Sequence, residues 1–429
     1  MATTIQHLSE ILQTVFIHDA KEIGRSSGFI QRERKLNGAS FAQSLIFGWQ
    51  ANPEASLEDL CQSARVCGVQ ISPQGLQERL NSPEANAFLY QLLMRALGYV
   101  VEAQGERRDL LTQFNGVYIQ DSSKIELPAL FEPQWQGNQS GQAALKVQTL
   151  YDYQQGHLDM TLAAGRRHDC PLQTVDLPVG SIRLADIGYF KVEVFEQLNA
   201  GGVFWVSRVP ARAGFWTGEQ VIHLATWLQQ AQGDTLDQEI ELTAQRLKCR
   251  LIAFRVPETV VEQRADRVRA EAKDRPHSQL QPETLALCQW TILITNLTPE
   301  QASVNEICCL LRLRWQIELL FKLWKDELSL DAWRSEQPYR ILTEIYAKLL
   351  LALSQHWLLV LSCWDTPDRS LVKASRLLRK HAFHILTALP HLKSLCHCLE
   401  SILPTLHRCR IQKRKARPAA FQLLARAFP

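Results

Sequence analysis

The chain lacks the features that would set it apart from ordinary globular proteins. Its start, MATTIQHLSE, has no basic region leading into an apolar run, so no signal peptide is expected. It also lacks the unbroken stretch of about twenty apolar residues that a spanning helix needs. The nearest approach, residues 345–364, is interrupted by Lys348, Gln355 and His356, which predicts a buried amphipathic helix and no membrane partner. No internal repeat or low-complexity segment stands out. The eleven cysteines are an odd number without the compact spacing of a disulfide framework, so reduced thiols in a cytoplasm are expected. His391, Cys396, His397, Cys398, His407 and Cys409 come closest to a metal pattern. Their CxC spacing is poor for zinc, which favours a two-to-four-residue gap, and simple buried or surface thiols are expected there.

At 429 residues, the chain has room for two to four structural units of about 150 residues each. Hydrophobic residues are 46% and charged residues 21%, which excludes a mainly disordered chain, a collagen or a highly charged tail protein. The formal charge of +3 hides an asymmetry. From Arg369 onward there are thirteen Lys/Arg and one acid, Glu400, a net +12 that leaves −9 over the rest. The densest run, Arg408–Arg417, holds Lys413, Arg414 and Lys415. Such a block attracts a polyanion through counterion release, or else is a solvated tail.

Along the chain, residues 4–22 show apolar positions at helical spacing, and a second apolar helix follows at 41–49. Residues 56–81 read as two short helices around a Cys-Gly turn, with Ser72 as an N-cap and Pro73 at the first helical position. This pair resembles a helix-turn-helix, which would turn Gln74, Gln77 and Arg79 outward toward DNA; two packed helices without special role read equally well. A further helix is predicted at 84–104. The pattern then becomes strand-like at 115–121, 145–153, 157–163, 181–186 and 203–209, with a helix near 189–199. Residues 210–290 are polar and mixed, with strand-like pieces at 239–242 and 249–256. One more strand is predicted at 290–296, and helices from about 300 to the end.

Three carboxylates stand at chemically useful places. Asp121 and Asp186 follow predicted strands, where side chains enter the crevice in which open α/β sheets bind ligands. Glu318 lies in the helical stretch LRLRWQIELLFKLWKDEL, where Arg314, Glu318, Lys322 and Lys325 share one face. Each alone has a bland reading, as a turn aspartate or a surface ion pair. Together they suit phosphodiester chemistry, in which two Mg²⁺ ions about 3.5–4 Å apart activate a water and stabilise the leaving oxygen. The three cations would then meet a DNA backbone.

These residues carry a resemblance. Arg314, Glu318 and Lys325 match the signature Tyr, two residues, Arg, three residues, Glu, six residues, Lys of bacterial insertion-sequence DDE transposases, in the group named after insertion sequence four. Trp315 and Ile317 also match, whereas Leu311 stands where the family has Tyr. The strand with Asp121-Ser-Ser, the segment Gly165–Asp169, the ADIGYF holding Asp186 and the WTILITNL strand follow in the family's order, over most of residues 105–350.

The resemblance implies an α/β fold with a ribonuclease-H-like catalytic core, an inserted β-rich domain and helical flanks. The divisions it suggests are a helical DNA-end-binding region at 1–105, the core at 106–209 and 298–365, the insertion at 210–297, and a basic helical region at 366–429 that serves dimerisation. Asp121, Asp186 and Glu318 would bind the two Mg²⁺, with Mn²⁺ as a substitute. Members cut transposon ends through nicking and a DNA hairpin and transfer the ends into target DNA, acting as homodimers. Trp290 falls where the family has a tryptophan that fills the space left by a flipped base; without the resemblance it reads as a core strand residue. Leu311 cannot donate the phosphate hydrogen bond of the family's Tyr, and Tyr339 is the alternative phenol. Two other readings are a DNA-binding regulator without catalysis and a nuclease that cuts without joining.

Overall fold

The computed structural model describes residues 3–32, 36–103, 109–166, 176–210, 213–273, 282–412 and 419–424. The chain begins with α1 (Ile5–Gln13), a π-helical segment at Thr14–Asp19, α2 (Ala20–Ser26), α3 (Gly38–Ala51), α4 (Leu57–Val66), α5 (Pro73–Leu80), α6 (Pro83–Leu97) and α7 (Asp109–Thr112). Next come β1 (Val117–Leu127), β2 (Ala143–Asp152), β3 (Leu158–Ala164), β4 (Ile182–Ala185), α8 (Val192–Ala200) and β5 (Phe204–Arg208). They are followed by β6 (Phe215–Thr217), β7 (Gln220–Ile222), α9 (Leu224–Gln230), β8 (Thr235–Leu242), β9 (Leu247–Arg255), α10 (Glu258–Lys273), α11 (Pro282–Leu287) and β10 (Trp290–Thr295). The remainder is helical: α12 (Val304–Leu313), α13 (Trp315–Leu328), α14 (Pro338–Cys363), α15 (Leu371–Ala388), α16 (Leu392–His407) and α17 (Ala420–Leu424).

Two compact units arise from interleaved segments. The first comprises Met1–Arg107, Ser122–Arg167 and Gln316–Phe421; the second comprises Arg108–Asp121, His168–Trp315 and Gln422–Pro429.

The first unit is mainly helical. An Asn37–Ser40 capping box starts α3, whose side chains are buried from Gly38 to Gln50. Glycine is required at 38, because a Cβ there would meet the Ala20 carbonyl oxygen of α2. The helix expected near 345–364 is α14, which is long and apolar enough to cross a membrane by composition. Its most apolar window is 94% buried, which makes it the central core helix of this unit. α14 packs against α3, α6 and α16, and α15 against α3, α4 and α16. β2 lies between β3 and β1, pairing antiparallel with β3 from Leu145↔Ala164 to Tyr151↔Leu158.

The second unit is built on a sheet. β1, β4 and β5 run parallel, with Val117 opposite Ile182 and Ile182 opposite Phe204. Beyond β5 the sheet continues antiparallel through β10, β9, β8, β6 and β7. One core cluster joins α8 to these strands, with Phe195 stacked on Trp205 at 4.2 Å and Leu251 and Ile294 fully buried.

Many predicted strands and helices match the observed ones closely; β6, β7, α9 and α11 were not predicted, and three further differences have a physical reason. β1 does not stop at Asp121. Ser123, Ile125 and Leu127 keep the alternate burial pattern, and the neighbouring β2 holds the chain extended past a Ser-Ser pair that reads locally as a turn. The helix expected to reach 104 ends at Leu97, capped at Gly98. Residues 258–273, within the polar and mixed stretch 210–290, form α10. Ala265 is its one buried apolar side chain among the described residues, so it has no apolar stripe to announce it.

Candidate active site

Asp121 and Asp186 both belong to the second unit. β1 and β4 are parallel, and their register pairs Gln120 with Ala185. The pairing ends there, so Asp121 and Asp186 are the residues that directly follow the last paired positions of two neighbouring strands. Arg314, at the joint between α12 and α13, is 9% exposed and donates to Asp121 Oδ2 from Nη1 at 3.1 Å. Asp186 is half-buried, and its Oδ1 is buried without a hydrogen-bond donor. A buried carboxylate oxygen without a donor is unfavourable unless something else satisfies it. Two adjacent carboxylates with an oxygen to spare are a donor set that fits a hard divalent cation.

Behind this pair stands a residue the sequence reading did not single out. Arg183 of β4 is 2% exposed; its Nε donates to Gln120 Oε1 at 2.8 Å, and its guanidinium lies 5.7 Å from the centre of the Tyr189 ring. It thereby ties the residue before Asp121 to the segment around Asp186. The available signal was a lone arginine inside the buried strand IRLA.

Glu318 belongs to the first unit, in the first turn of α13, and is half-buried. On the same helix, Lys325 donates from Nζ to the Lys124 carbonyl oxygen of β1 at 2.8 Å and lies 3.8 Å from Asp331. Lys322 is exposed and 3.9 Å from Asp326. Leu311 is half-buried in the last turn of α12, and Tyr339 is exposed at the start of α14. Among the described residues, no three His, Cys, Asp or Glu side chains gather closely enough to hold a metal ion; this covers the His/Cys set near 391–409 as well.

Trp290 opens β10 and is 4% exposed within the core cluster, with Arg255 stacked over it at 4.6 Å. Of its two readings, the core strand residue is the position observed. In the first unit, α4 and α5 form the expected helix pair, with Ser72 capping α5 by accepting from the Gly75 amide at 3.1 Å. Gln74, Gln77 and Arg79 are all exposed on α5. Lys413, Arg414 and Lys415, like residues 167–169 of the GRRHD segment, lie outside the described residues.

Comparison with known proteins bears on this geometry. Residues 112–354, more than half of the chain, match the family model described as "Transposase DDE domain". The chain is 25% identical over 357 residues to the transposase for insertion sequence element IS231F of Bacillus thuringiensis subsp. israelensis, covering 77% of this chain and 75% of that protein. It is 24% identical over 386 residues to the transposase for insertion sequence element IS1151 of Clostridium perfringens, covering 82% and 80%. A shorter match, 37% identical over 103 residues and 24% of this chain, is to the putative transposase InsL for insertion sequence element IS186A of Escherichia coli.

Proposed function

The chain belongs to the DDE transposase family, and from that premise we propose that it is the cut-and-paste enzyme of a bacterial insertion sequence. In this reading it binds the terminal inverted repeats of its element, cleaves the ends through a DNA hairpin and transfers the 3′ ends into target DNA. It acts in the cytoplasm as a homodimer on paired ends. Its core is ribonuclease-H-like, a reading supported by the parallel strands β1, β4 and β5 and the antiparallel β2–β3 pair.

Asp121, Asp186 and Glu318 would hold divalent cations, Mg²⁺ with Mn²⁺ as a substitute. When bound, the metal supplies charge stabilisation for in-line attack on a phosphodiester. The observation that supports this assignment is the parallel register ending at Gln120↔Ala185, one residue before each aspartate, with a buried Asp186 oxygen left without a donor. Arg314 holds the Asp121 carboxylate in place and supplies a fixed positive charge next to the phosphate position. Lys325, anchored on the Lys124 carbonyl, and the exposed Lys322 meet the DNA backbone from α13. Gln74, Gln77 and Arg79 on α5 read the transposon end.

The test is incubation of the protein with Mg²⁺ and a duplex carrying the element's inverted repeats. Wild-type protein is expected to cleave the ends and join them to target DNA. The Asp121→Ala, Asp186→Ala and Glu318→Ala chains are expected to retard the same duplex while producing no nick. Cleavage by any of these three at the wild-type rate removes that residue from the site. Wild-type retardation without nicking under any divalent metal points to a regulator, and nicking without joined product points to a nuclease.

A further inference from the structure

The first unit carries an unassigned line of positive charge on α15. Its eighteen residues include Lys373, Arg376, Arg379, Lys380, His381 and His384, and no acid. Ala374, Ser375, Leu378, Ala382, Ile385 and Leu386 are buried, whereas Lys373, Arg376, Lys380 and His384 are exposed. Spacings of three, four and four residues align these four along one outer face. At 1.5 Å of rise per residue the line is about 16 Å long.

An ordinary solvated helix mixes signs one turn apart, because like charges there are destabilising. Lys373 also occupies the first turn, where the helix dipole disfavours a cation. His381 is pushed below the usual imidazole range by burial and by the neighbouring His384 and Lys380, a sign of crowding by like charge. Among the described residues, two acids reach this surface: Glu327 of α13 accepts from Arg376 at 2.7 Å and from Arg379 at 3.2 Å, and Asp368 pairs with Arg410 at 3.2 Å. Glu327 thus answers two guanidiniums, and Lys373 and Lys380 add to the surplus.

A second observation extends the line. The amide of Ser370 donates to the Cys409 carbonyl at 2.8 Å, and that of Ile411 to the Asp368 carbonyl at 2.7 Å. Lys373 Nζ donates to the Arg410 carbonyl at 2.8 Å. These bonds fasten residues 409–411 at the head of α15. The most basic run of the sequence, Arg408–Arg417, therefore starts where the row on the helix ends. α15 rests on α3 and α4, the latter being the first helix of the pair that carries Gln74, Gln77 and Arg79 on α5.

We propose that the outer face of α15, extended at its head by Arg408 and Arg410, is a sequence-independent docking surface for the phosphate backbone of duplex DNA. Duplex DNA offers one negative charge for about every 1.7 Å of its axis, so Lys373, Arg376 and Lys380, spaced about one helical turn apart, each find a phosphate. The row has no side-chain pattern for reading bases. It thus serves DNA outside the recognised ends, as flank or as target. The inference shares with the proposed function the premise that the chain acts on DNA, and it is independent of the metal-binding acids.

The full-length protein is titrated with a random-sequence duplex lacking the inverted repeats, over a range of KCl concentrations, by fluorescence anisotropy. For Lys373→Gln/Lys380→Gln, the slope of log affinity against log salt is expected to fall by about 1.8, at about 0.9 per lost phosphate contact. Lys380→Gln alone is expected to lose about half of that, and Lys373→Arg/Lys380→Arg to keep the wild-type slope. An unchanged slope in the folded glutamine pair overturns this proposal alone. So does a glutamine pair that keeps its duplex slope while losing self-association or binding to anionic vesicles. A wild-type chain that binds no duplex overturns both this proposal and the transposase reading.

Discussion

At the residue scale, two buried groups of the first unit titrate against each other. Asp152 closes β2 and is 4% exposed; burial pushes its carboxyl up to about 6 from an ordinary 3.8, although the amides of Gln154 and Gln155 donate to its Oδ1 at 2.8 and 3.1 Å. His356 of α14 is 2% exposed, and burial pushes it down to about 4 from 6.5, although its Nε2 lies 2.7 Å from the Gly156 carbonyl oxygen. Between pH 3.8 and 6 the folded chain holds the Asp152 proton that the unfolded chain has released, so this group makes stability fall as pH rises. Between pH 4 and 6.5 the unfolded chain binds a proton that folded His356 refuses, so this group makes stability fall as pH drops. The two slopes nearly cancel, each group contributing up to about 3 kcal/mol across its window. Asp152→Asn keeps an acceptor for the two amides and removes one slope. It is expected to raise stability at pH 7 and to leave a chain that loses stability steeply from pH 6.5 to 4. Urea unfolding at several pH values checks this; a pH profile parallel to wild type would show that Asp152 titrates normally.

At the scale of elements, Asn296 fastens the sheet of the second unit to its helix. Its Oδ1 accepts from the Trp205 amide at 2.9 Å, and its Nδ2 donates to Asn199 Oδ1 at 2.8 Å and to the Val203 carbonyl at 3.0 Å. Trp205 Nε1 donates to the same Asn199 oxygen at 2.9 Å. One side chain just past β10 therefore joins β5 to the end of α8. Asn296→Leu leaves these partners without their bonds and is expected to cost about 3 kcal/mol, at about 1 kcal/mol per lost bond. Asn296→Asp keeps the acceptor but sets a carboxylate oxygen against the Asn199 and Val203 oxygens, and is expected to stay destabilised. Denaturant unfolding followed by tryptophan fluorescence measures both, and a leucine variant as stable as wild type would end this account. Asn296 was legible as the end of the strand WTILITN, but its role was not, because its partners come from segments more than ninety residues away. Strands such as β5 and β10 were legible because they are rich in β-branched and aromatic residues.

At the scale of the whole molecule, interleaving ties distant segments into each unit. Residues 1–107 share a unit with 122–167 and 316–421. α3 is buried along nearly its whole length, and α14 and α15 cover it. α6 packs on α14, and α1 on α16. A fragment of residues 1–107 is therefore expected to expose its core faces and to lack the dispersed amide spectrum of a folded domain. Adding a fragment of residues 316–421 is expected to restore part of it. A well-dispersed spectrum of 1–107 alone would show that the amino-terminal helices fold by themselves. The same interleaving explains why domain limits were hard to read from composition, since no linker marks them.

The sequence by itself determined the local elements, the charge asymmetry and the spacing that identifies the family, because periodicity, caps and a signature carried on one helix all act over a few residues. It also set Asp121 and Asp186 next to strand segments that the structure contains, β1 and β4. Only the tertiary structure decided that β1 runs on to Leu127, that Trp290 lies in a core beneath Arg255, and that Arg314 reaches Asp121 across 193 positions of chain. Those outcomes depend on which strand or side chain arrives from far away. Burial and pairing energies at such contacts exceed local preference, and they have no signal within a short window of sequence.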